Sequence, residues 1–153
     1  MAVEKNNLIK MTSLKYRIDN LMSEKRLFLD TDLTIYMVAK EVCSNRTYVS
    51  ELFRFYGESF REYINNHRTE YAMSIIKKSI ISGEIPEVAD IALMSGFKSE
   101  RTLNKYLNEK FGKTASKIIR ELKNDYLCPK SNTNGGRKDH FFNERSGQNA
   151  TAQ

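Results

Sequence analysis

The sequence predicts an all-α fold in which two similar units of two short helices are joined by one long helix. Apolar residues recur at spacings of three and four between about residues 31 and 120, and no segment alternates as a strand would. Pro86 is the only proline in this region. Residues 35–64 also resemble residues 88–119, so the chain contains an internal repeat. Together these observations indicate a duplicated helical unit.

Length and composition fit one small helical domain. The chain has 153 residues and no apolar run near the roughly 18 residues that a membrane span needs, so we expect no membrane contact. No signal peptide is evident, which favours a cytoplasmic location. Cys43 and Cys128 have neither metal-ligand spacing nor the spacing of a disulfide framework, so no metal site or cofactor is expected.

Residues 1–28 predict one polar, amphipathic helix. Met11, Leu14, Ile18 and Leu21 recur at spacings of three and four. This stripe is narrow and covers too few turns for a coiled coil. The helix can dock on the core or pair with another copy of the chain, so self-association through it is one expected interaction.

Two predicted units, at about residues 33–57 and 86–112, each have the form of a helix-turn-helix. In each unit an apolar residue and an alanine are followed four positions later by a small residue, and then by a second amphipathic helix; these are Val38-Ala39 with Cys43, and Ile91-Ala92 with Gly96. Two short helices joined by a tight turn with a small residue are typical of this motif. Gly96 supplies backbone freedom for the turn, and Cys43 is expected to be its small, buried equivalent.

A long linker helix is predicted at about residues 59–82. Ser59 is a natural N-cap, as is Thr114 after the second unit, and Ser82-Gly83 ends the linker. About 23 residues at 1.5 Å each span roughly 35 Å, close to the ~34 Å helical repeat that separates successive major grooves on one face of DNA. We therefore interpret the linker as a ruler that sets the spacing between the two units.

The end of the chain predicts no packed structure. Pro129 stops helix formation, and the following residues are rich in Gly, Asn and Ser. We expect residues 128–153 to form a disordered polar tail.

The repeat resembles the DNA-binding domain of the AraC family of bacterial transcription regulators. The second motif, IALMSGFKSERTLNKYL followed by KFGKTAS, is similar to the family signature, and FREYINNHRTEYA is similar to its linker. The resemblance covers about residues 31–120, and it implies a homeodomain-like, AraC-type domain over residues 29–127. It further implies a sequence-specific regulator of transcription that binds double-stranded DNA and, as in most relatives, activates by contacting RNA polymerase.

The sequence departs from the family pattern at several positions. Apolar residues of other types stand at four core positions, which are Leu103, Leu107, Ala115 and Ile118. The chain is one residue shorter than usual between Phe53 and Gly57, and several residues longer between Ala72 and Val88. The apolar replacements preserve the core, whereas the longer segment could shift the second motif.

The polar faces of the second helix in each unit are the expected DNA contacts. Residues 98–123 carry eight Lys or Arg and three Asp or Glu, which favours a phosphate-binding face there. Base contacts are expected from Thr47, Ser50 and Glu51, which match family positions, and from Glu100, Arg101, Asn104 and Lys105. Phosphate contacts are expected from Arg46, Arg54, Ser59, Arg61, Lys98, Ser99, Asn108, Lys113 and Thr114. Asn45 is the expected N-cap of the first recognition helix, and Arg68 has a competing interpretation as an internal ion-pair partner.

Two other functional classes compete with DNA binding. An enzyme is disfavoured because the chain lacks a Gly-rich phosphate loop and any close His, Cys, Ser or Asp constellation. His67 fits a packed helix residue, and His140 falls in the predicted tail. The alternative hypothesis is a helical protein-interaction module that has lost DNA binding, since residues 31–97 are slightly acidic overall.

Overall fold

The computed structural model describes residues 1–128, and within that range it is helical without any strand. Its helices are α1 (Ala2–Lys25), α2 (Ile35–Glu41), α3 (Arg46–Phe55), α4 (Phe60–Ser82), α5 (Val88–Met94), α6 (Glu100–Phe111) and α7 (Ala115–Leu127). A short 3-10 turn at Leu27–Leu29 follows α1. The predicted all-α class is confirmed. The predicted tail falls almost entirely on residues 129–153, which lie outside the described residues.

Residues 1–122 form one compact unit, within which the buried side chains divide into two cores. The first core joins α1, α2, α3 and the beginning of α4, and includes Ile18, Val38 and Leu52. The second joins the rest of α4 to α5, α6 and the start of α7, and includes Ile76 and Leu107. Only α4 contributes buried residues to both cores among these helices. The four departures from the family pattern are all buried in the second core, which preserves its packing as expected; they are Leu103, Leu107, Ala115 and Ile118.

Helix α1 docks on the first unit through its C-terminal half. It ends at Lys25, where Arg26 takes a left-handed conformation, so the helix ends three residues before the predicted end at residue 28. Its buried positions begin at Leu14, and nearly all earlier residues are exposed. Arg17 donates to the carbonyl oxygen of Val42 at 2.7 Å, which ties α1 to the end of α2. The docking interpretation therefore holds for the second half of this helix.

The two helix-turn-helix turns share a left-handed residue but differ in what covers it. Gly96 has a φ of +86°, and a Cβ there would lie 2.5 Å from the carbonyl oxygen of Phe28. Cys43 has a φ of +50°, so its expected role as the turn residue is confirmed. Its expected burial is wrong, because the Cys43 side chain is exposed. Among the described residues, the backbone of Phe28 and Leu29 lies directly against the second turn, whereas the Cys43 side chain of the first turn is exposed.

The interpretation of the linker as a ruler between the two units stays a prediction. Lys110, near the end of α6, pairs with Glu70 in the middle of α4 at 2.6 Å. The chain after α4 thus folds back along it, and α6 lies beside the middle of the long helix instead of beyond its far end. The 23 residues of α4 set the length of a shared packing surface.

Candidate DNA interface

Helix α3 presents a polar face to solvent because three apolar residues anchor its other side. Val49, Leu52 and Phe53 are buried in the first core. Asn45 accepts a hydrogen bond from the backbone nitrogen of Tyr48 at 2.9 Å, which confirms it as the N-cap. The side chains that the sequence predicts as DNA contacts are all exposed; they are Arg46, Thr47, Ser50, Glu51 and Arg54.

Two exposed aromatic side chains on α3 were missed by the sequence analysis. Tyr48 and Phe55 are 55% and 59% exposed. They stand seven residues apart with Glu51 between them, so the three share one stripe of the helix. The helical spacing carries this signal, because both residues fall outside the buried stripe that includes Val49 and Leu52. Aromatic carbon atoms can contact the methyl group of thymine in a major groove.

Helix α6 repeats this arrangement in the second unit. Ser99 accepts from the backbone nitrogen of Thr102 at 3.2 Å and so caps the helix, while Leu103 and Leu107 are fully buried beneath it. The exposed residues of α6 include four predicted DNA contacts, which are Glu100, Arg101, Lys105 and Asn108. The face available to DNA is therefore mainly charged.

Asn104 differs from its predicted neighbours because its side chain already has a structural partner. It is half-buried, and its Oδ1 accepts a hydrogen bond from the backbone nitrogen of Ala115 at 2.8 Å. Its amide nitrogen lies 3.5 Å from Glu100 Oε1. A bidentate contact with adenine needs both ends of the amide. This geometry assigns Asn104 to holding the start of α7 against α6.

The predicted phosphate contacts at helix starts also serve as caps. Ser59 Oγ accepts from Glu62 N at 3.1 Å, and Glu62 Oε2 accepts from Ser59 N at 2.9 Å, which is a reciprocal capping box. These hydrogen bonds lower the pKa of Glu62. Thr114 Oγ1 accepts from Lys117 N at 3.4 Å. The exposed carboxylate of Glu62 occupies part of the positive end of α4.

The predicted phosphate-binding cations fall into two groups. Lys98 pairs with Asp32 at 2.6 Å, and Lys113 pairs with Glu121 at 2.5 Å. These lysines hold the pKa values of both carboxyl groups below their usual range. Among residues 1–128 the arginines predicted to contact DNA form no ion pair; they are Arg46, Arg54, Arg61 and Arg101. A phosphate can bind these arginines directly, whereas each of the two lysines must first break its ion pair with a carboxylate.

Arg68 has a structural role, in line with the competing interpretation, but its partners differ from those expected. Its Nε donates to the carbonyl oxygen of Phe28 and its Nη2 to that of Asp30, both at 2.7 Å. Its Nη1 donates to Asn65 Oδ1 at 3.3 Å. The partners are main-chain carbonyls and an amide in place of a carboxylate. The guanidinium thus fastens the segment after α1 to the middle of α4.

The histidines and acidic side chains of the described residues form no metal-binding cluster. Within residues 1–128, no group of three or more His, Cys, Asp or Glu side chains could hold a metal ion. None of the described helices is long and apolar enough to cross a membrane. His67 packs against the rings of Phe28 and Tyr63 at centroid distances of 5.5 and 4.7 Å. Burial lowers the pKa of His67, as expected for a packed histidine; His140 lies outside the described residues.

Comparison with known proteins places this architecture in a family. No curated protein matches the chain. The model of the AraC-type helix-turn-helix family, described as "Helix-turn-helix domain", matches residues 38–121. That span is more than half of the chain and runs from α2 into α7. This is a family of DNA-binding regulatory domains and not a family of enzymes. The chain belongs to the AraC-type helix-turn-helix family and is a DNA-binding regulator of transcription.

Proposed function

We propose that the protein recognises a specific DNA sequence by inserting α3 and α6 into successive major grooves, and that it activates transcription. The observation that carries the proposal is the pair of capped helices, each buried on one side and polar on the other, within one compact unit. Recognition helices read base edges from such a face. Family membership supports activation through contact with RNA polymerase.

The base-reading residues we propose come from both helices. On α3 they are Thr47, Ser50 and Glu51, with Tyr48 and Phe55 offering apolar contacts on the same exposed surface. On α6 they are Glu100, Arg101 and Lys105. Arginine pairs bidentately with guanine, and glutamate accepts from cytosine N4. Asn104 contributes by positioning α6 and α7 relative to each other.

The phosphate contacts we propose rely first on arginine. Arg46 and Arg54 are exposed on α3, and Arg61 is exposed near the start of α4. Ser59, Ser99 and Thr114 cap helix N-termini, whose backbone N–H groups and positive dipole end attract a phosphate. Lys98, Lys113 and Asn108 complete the set. Such contacts orient the protein on the duplex without reading its sequence.

Self-association is proposed through the first half of α1. Val3, Leu8 and Ile9 are exposed there, and none of residues 1–13 is buried. Pairing with a second copy would remove these apolar side chains from water.

Replacing Arg101 with alanine tests the base-reading assignment. Duplexes bound by the protein are first enriched from random DNA, and the best site is then scanned by base substitution. We expect Arg101→Ala to cost about 1–3 kcal/mol on this site and to relax the preference at one base pair. Lys113→Ala is the control, since losing a phosphate contact weakens binding to all sequences alike. Weaker binding by Arg101→Ala with every base preference intact would contradict the assignment.

The alternative function is a protein-interaction module that no longer binds DNA. A groove beside α4 and α6 favours it, since four glutamates line this groove and would repel a phosphate backbone; they are Glu58, Glu62, Glu70 and Glu109. Measuring duplex binding across a salt series separates the two functions. A DNA reader loses affinity steeply as salt rises because counterions are released on binding. Absent or salt-independent duplex binding would favour the interaction module.

A further inference from the structure

A cleft separates the loop before α2 from the start of α6, with the first half of α4 as its floor. Two cavities of about 550 and 360 Å³ form it. They share five lining residues, which are Thr31, Arg61, Asn65, Arg68 and Lys98. Because both helix-turn-helix units contribute walls, we call it the inter-motif cleft.

The inter-motif cleft is strongly positive. Four cations line it, which are Arg61, Arg68, Lys98 and Lys105, and Asp32 is the only carboxylate among its lining residues. Asp32 is 77% exposed and lines only the larger cavity. Arg68 donates its hydrogen bonds to two main-chain carbonyl oxygens and to the side-chain oxygen of Asn65, so no carboxylate is bonded to it. Cations gathered between low-dielectric walls attract an anion more strongly than the same charges spread over a surface.

A mostly buried amide in the cleft has a donor that no described side chain or backbone group uses. Asn65 is only 5% exposed, and its Oδ1 accepts from Arg68. No side-chain contact among the described residues uses its Nδ2 as donor. In the same region no fully enclosed side-chain nitrogen or oxygen lacks a hydrogen-bond partner. The Nδ2 group therefore reaches solvent, and Asn65 lines both cavities. A ligand oxygen would replace water as the acceptor for this group.

We propose that the inter-motif cleft binds one phosphate-type oxyanion through Asn65 Nδ2, Arg61 and Lys98. Arg68 and Lys105 add positive charge around it. When the oxyanion binds, Lys98 leaves the exposed carboxylate of Asp32 and donates to the oxyanion instead. Both contacts are charge-assisted hydrogen bonds. The same chemistry is offered by a free phosphate ester and by a backbone phosphate of DNA lying between the two motifs. The second source rests on the proposed DNA-binding function.

Titration of the DNA-free, full-length protein with inorganic phosphate tests the site. Ionic strength is held constant, and the side-chain resonances of Asn65 and Arg61 are followed by ¹H–¹⁵N NMR. We expect both resonances to shift as phosphate is added and to reach a plateau. Asn65→Asp keeps the oxygen that Arg68 uses but replaces the free donor with an acceptor, and Arg61→Gln removes one exposed charge. Each variant should bind phosphate at least about tenfold more weakly, since a tenfold change corresponds to only ~1.4 kcal/mol.

Lys78→Gln is the matched control. It also removes one positive charge from α4, but Lys78 is exposed and lines neither cavity. This variant should bind phosphate as the unchanged protein does. A shift that grows linearly without saturation would overturn the proposal. Equal phosphate affinity in Lys78→Gln and Arg61→Gln would overturn it as well.

Adding the enriched duplex identifies the source of the phosphate group. If a backbone phosphate occupies the cleft, the duplex displaces inorganic phosphate, and Arg61→Gln reduces the slope of log K against log salt by about 0.9. If the ligand is a free phosphate ester, phosphate still binds saturably to the DNA complex, and the slope is unchanged. Either result supports the site. Should the protein bind no duplex at all, the DNA-binding function fails, while the titration without DNA still decides whether the cleft binds phosphate.

Discussion

At the scale of single residues, polar side chains with main-chain partners hold distant segments together. Arg68 bonds carbonyl oxygens 38 and 40 residues away, and Asn104 bonds a backbone nitrogen 11 residues away. Hydrogen bonds from a charged group contribute roughly 1.5–3 kcal/mol each. The loss of Arg68 would also leave two carbonyl oxygens without this donor. These contacts make both side chains structural in spite of their polar character.

His67 has an environment that makes stability depend on pH just below neutrality. Burial lowers its folded pKa below the usual 6.5, outweighing the opposing influence of Glu70, Asp19 and Glu58. The unfolded chain therefore takes up a proton more readily than the folded one. The stabilising contribution is fully present above pH 6.5, and it is lost as the pH falls from there through the lower folded pKa.

Urea denaturation at several pH values between 8 and 5 measures this contribution. We expect the midpoint for the unchanged protein to fall as the pH drops below about 6.5. His67→Gln cannot be protonated, so its midpoint should depend less on pH over the same range. Because both proteins contain His140, that residue does not affect the comparison. Parallel pH profiles for the two proteins would show that His67 is not the responsible group.

At the scale of helices, two N-caps were readable from the sequence, whereas one inter-helix bond was not. Asn45 and Ser59 each cap the helix that follows, as predicted, and short polar side chains before an apolar pattern are a local signal. Asn104 bonds the first residue of α7 across two helices, and no local pattern reveals that. The helical spacing correctly predicted it on the partly outward side of α6. Only the folded arrangement shows what its oxygen contacts.

Two substitutions at Asn104 test its role in positioning α7. Asn104→Ala removes the acceptor for Ala115 N and should cost about 1 kcal/mol, comparable to the loss of a helix cap. Asn104→Asp keeps an acceptor oxygen and should retain most of that stability. Hydrogen exchange of the Ala115 amide is the specific readout, since it should become faster in Asn104→Ala and remain slow in Asn104→Asp. Unchanged exchange in Asn104→Ala would rule out the positioning role.

At the scale of the whole molecule, two cores are assembled on one helix. The internal repeat and the helical periodicity predicted both units and most of the buried apolar residues, because these signals are local. The fold-back of α6 along α4 was not predictable in this way. It depends on contacts such as Lys110 with Glu70, which are 40 residues apart. The outward faces of α3 and α6 followed from periodicity, whereas the inter-motif cleft required the assembled structure.

Gly96 is expected to control how closely the two units approach. In Gly96→Ala the new Cβ would lie 2.5 Å from the carbonyl oxygen of Phe28 and 3.0 Å from Leu29 Cα, in a left-handed conformation. We expect a loss of about 2–4 kcal/mol in the free energy of unfolding, from backbone strain and overpacking together. Gly112→Ala is the control, because Gly112 has a φ of +68° but a Cβ added there would meet no atom within 4 Å. Its cost should be limited to about 1–2 kcal/mol. Equal losses in the two variants, measured by urea denaturation, would show that the contact with Phe28 is unimportant.

The close approach of Gly96 to the Phe28 carbonyl has a consequence for chimeric regulators. A second motif transplanted from a relative would bring its own turn, but the surface receiving that turn is encoded before α2 and fastened by Arg68. Grafts that exchange α5 and α6 alone should therefore misfit more often than grafts that also carry residues 27–30 and the matching part of α4. A useful graft must therefore keep both sides of this tertiary contact together. That requires exchanging more than one segment of the chain.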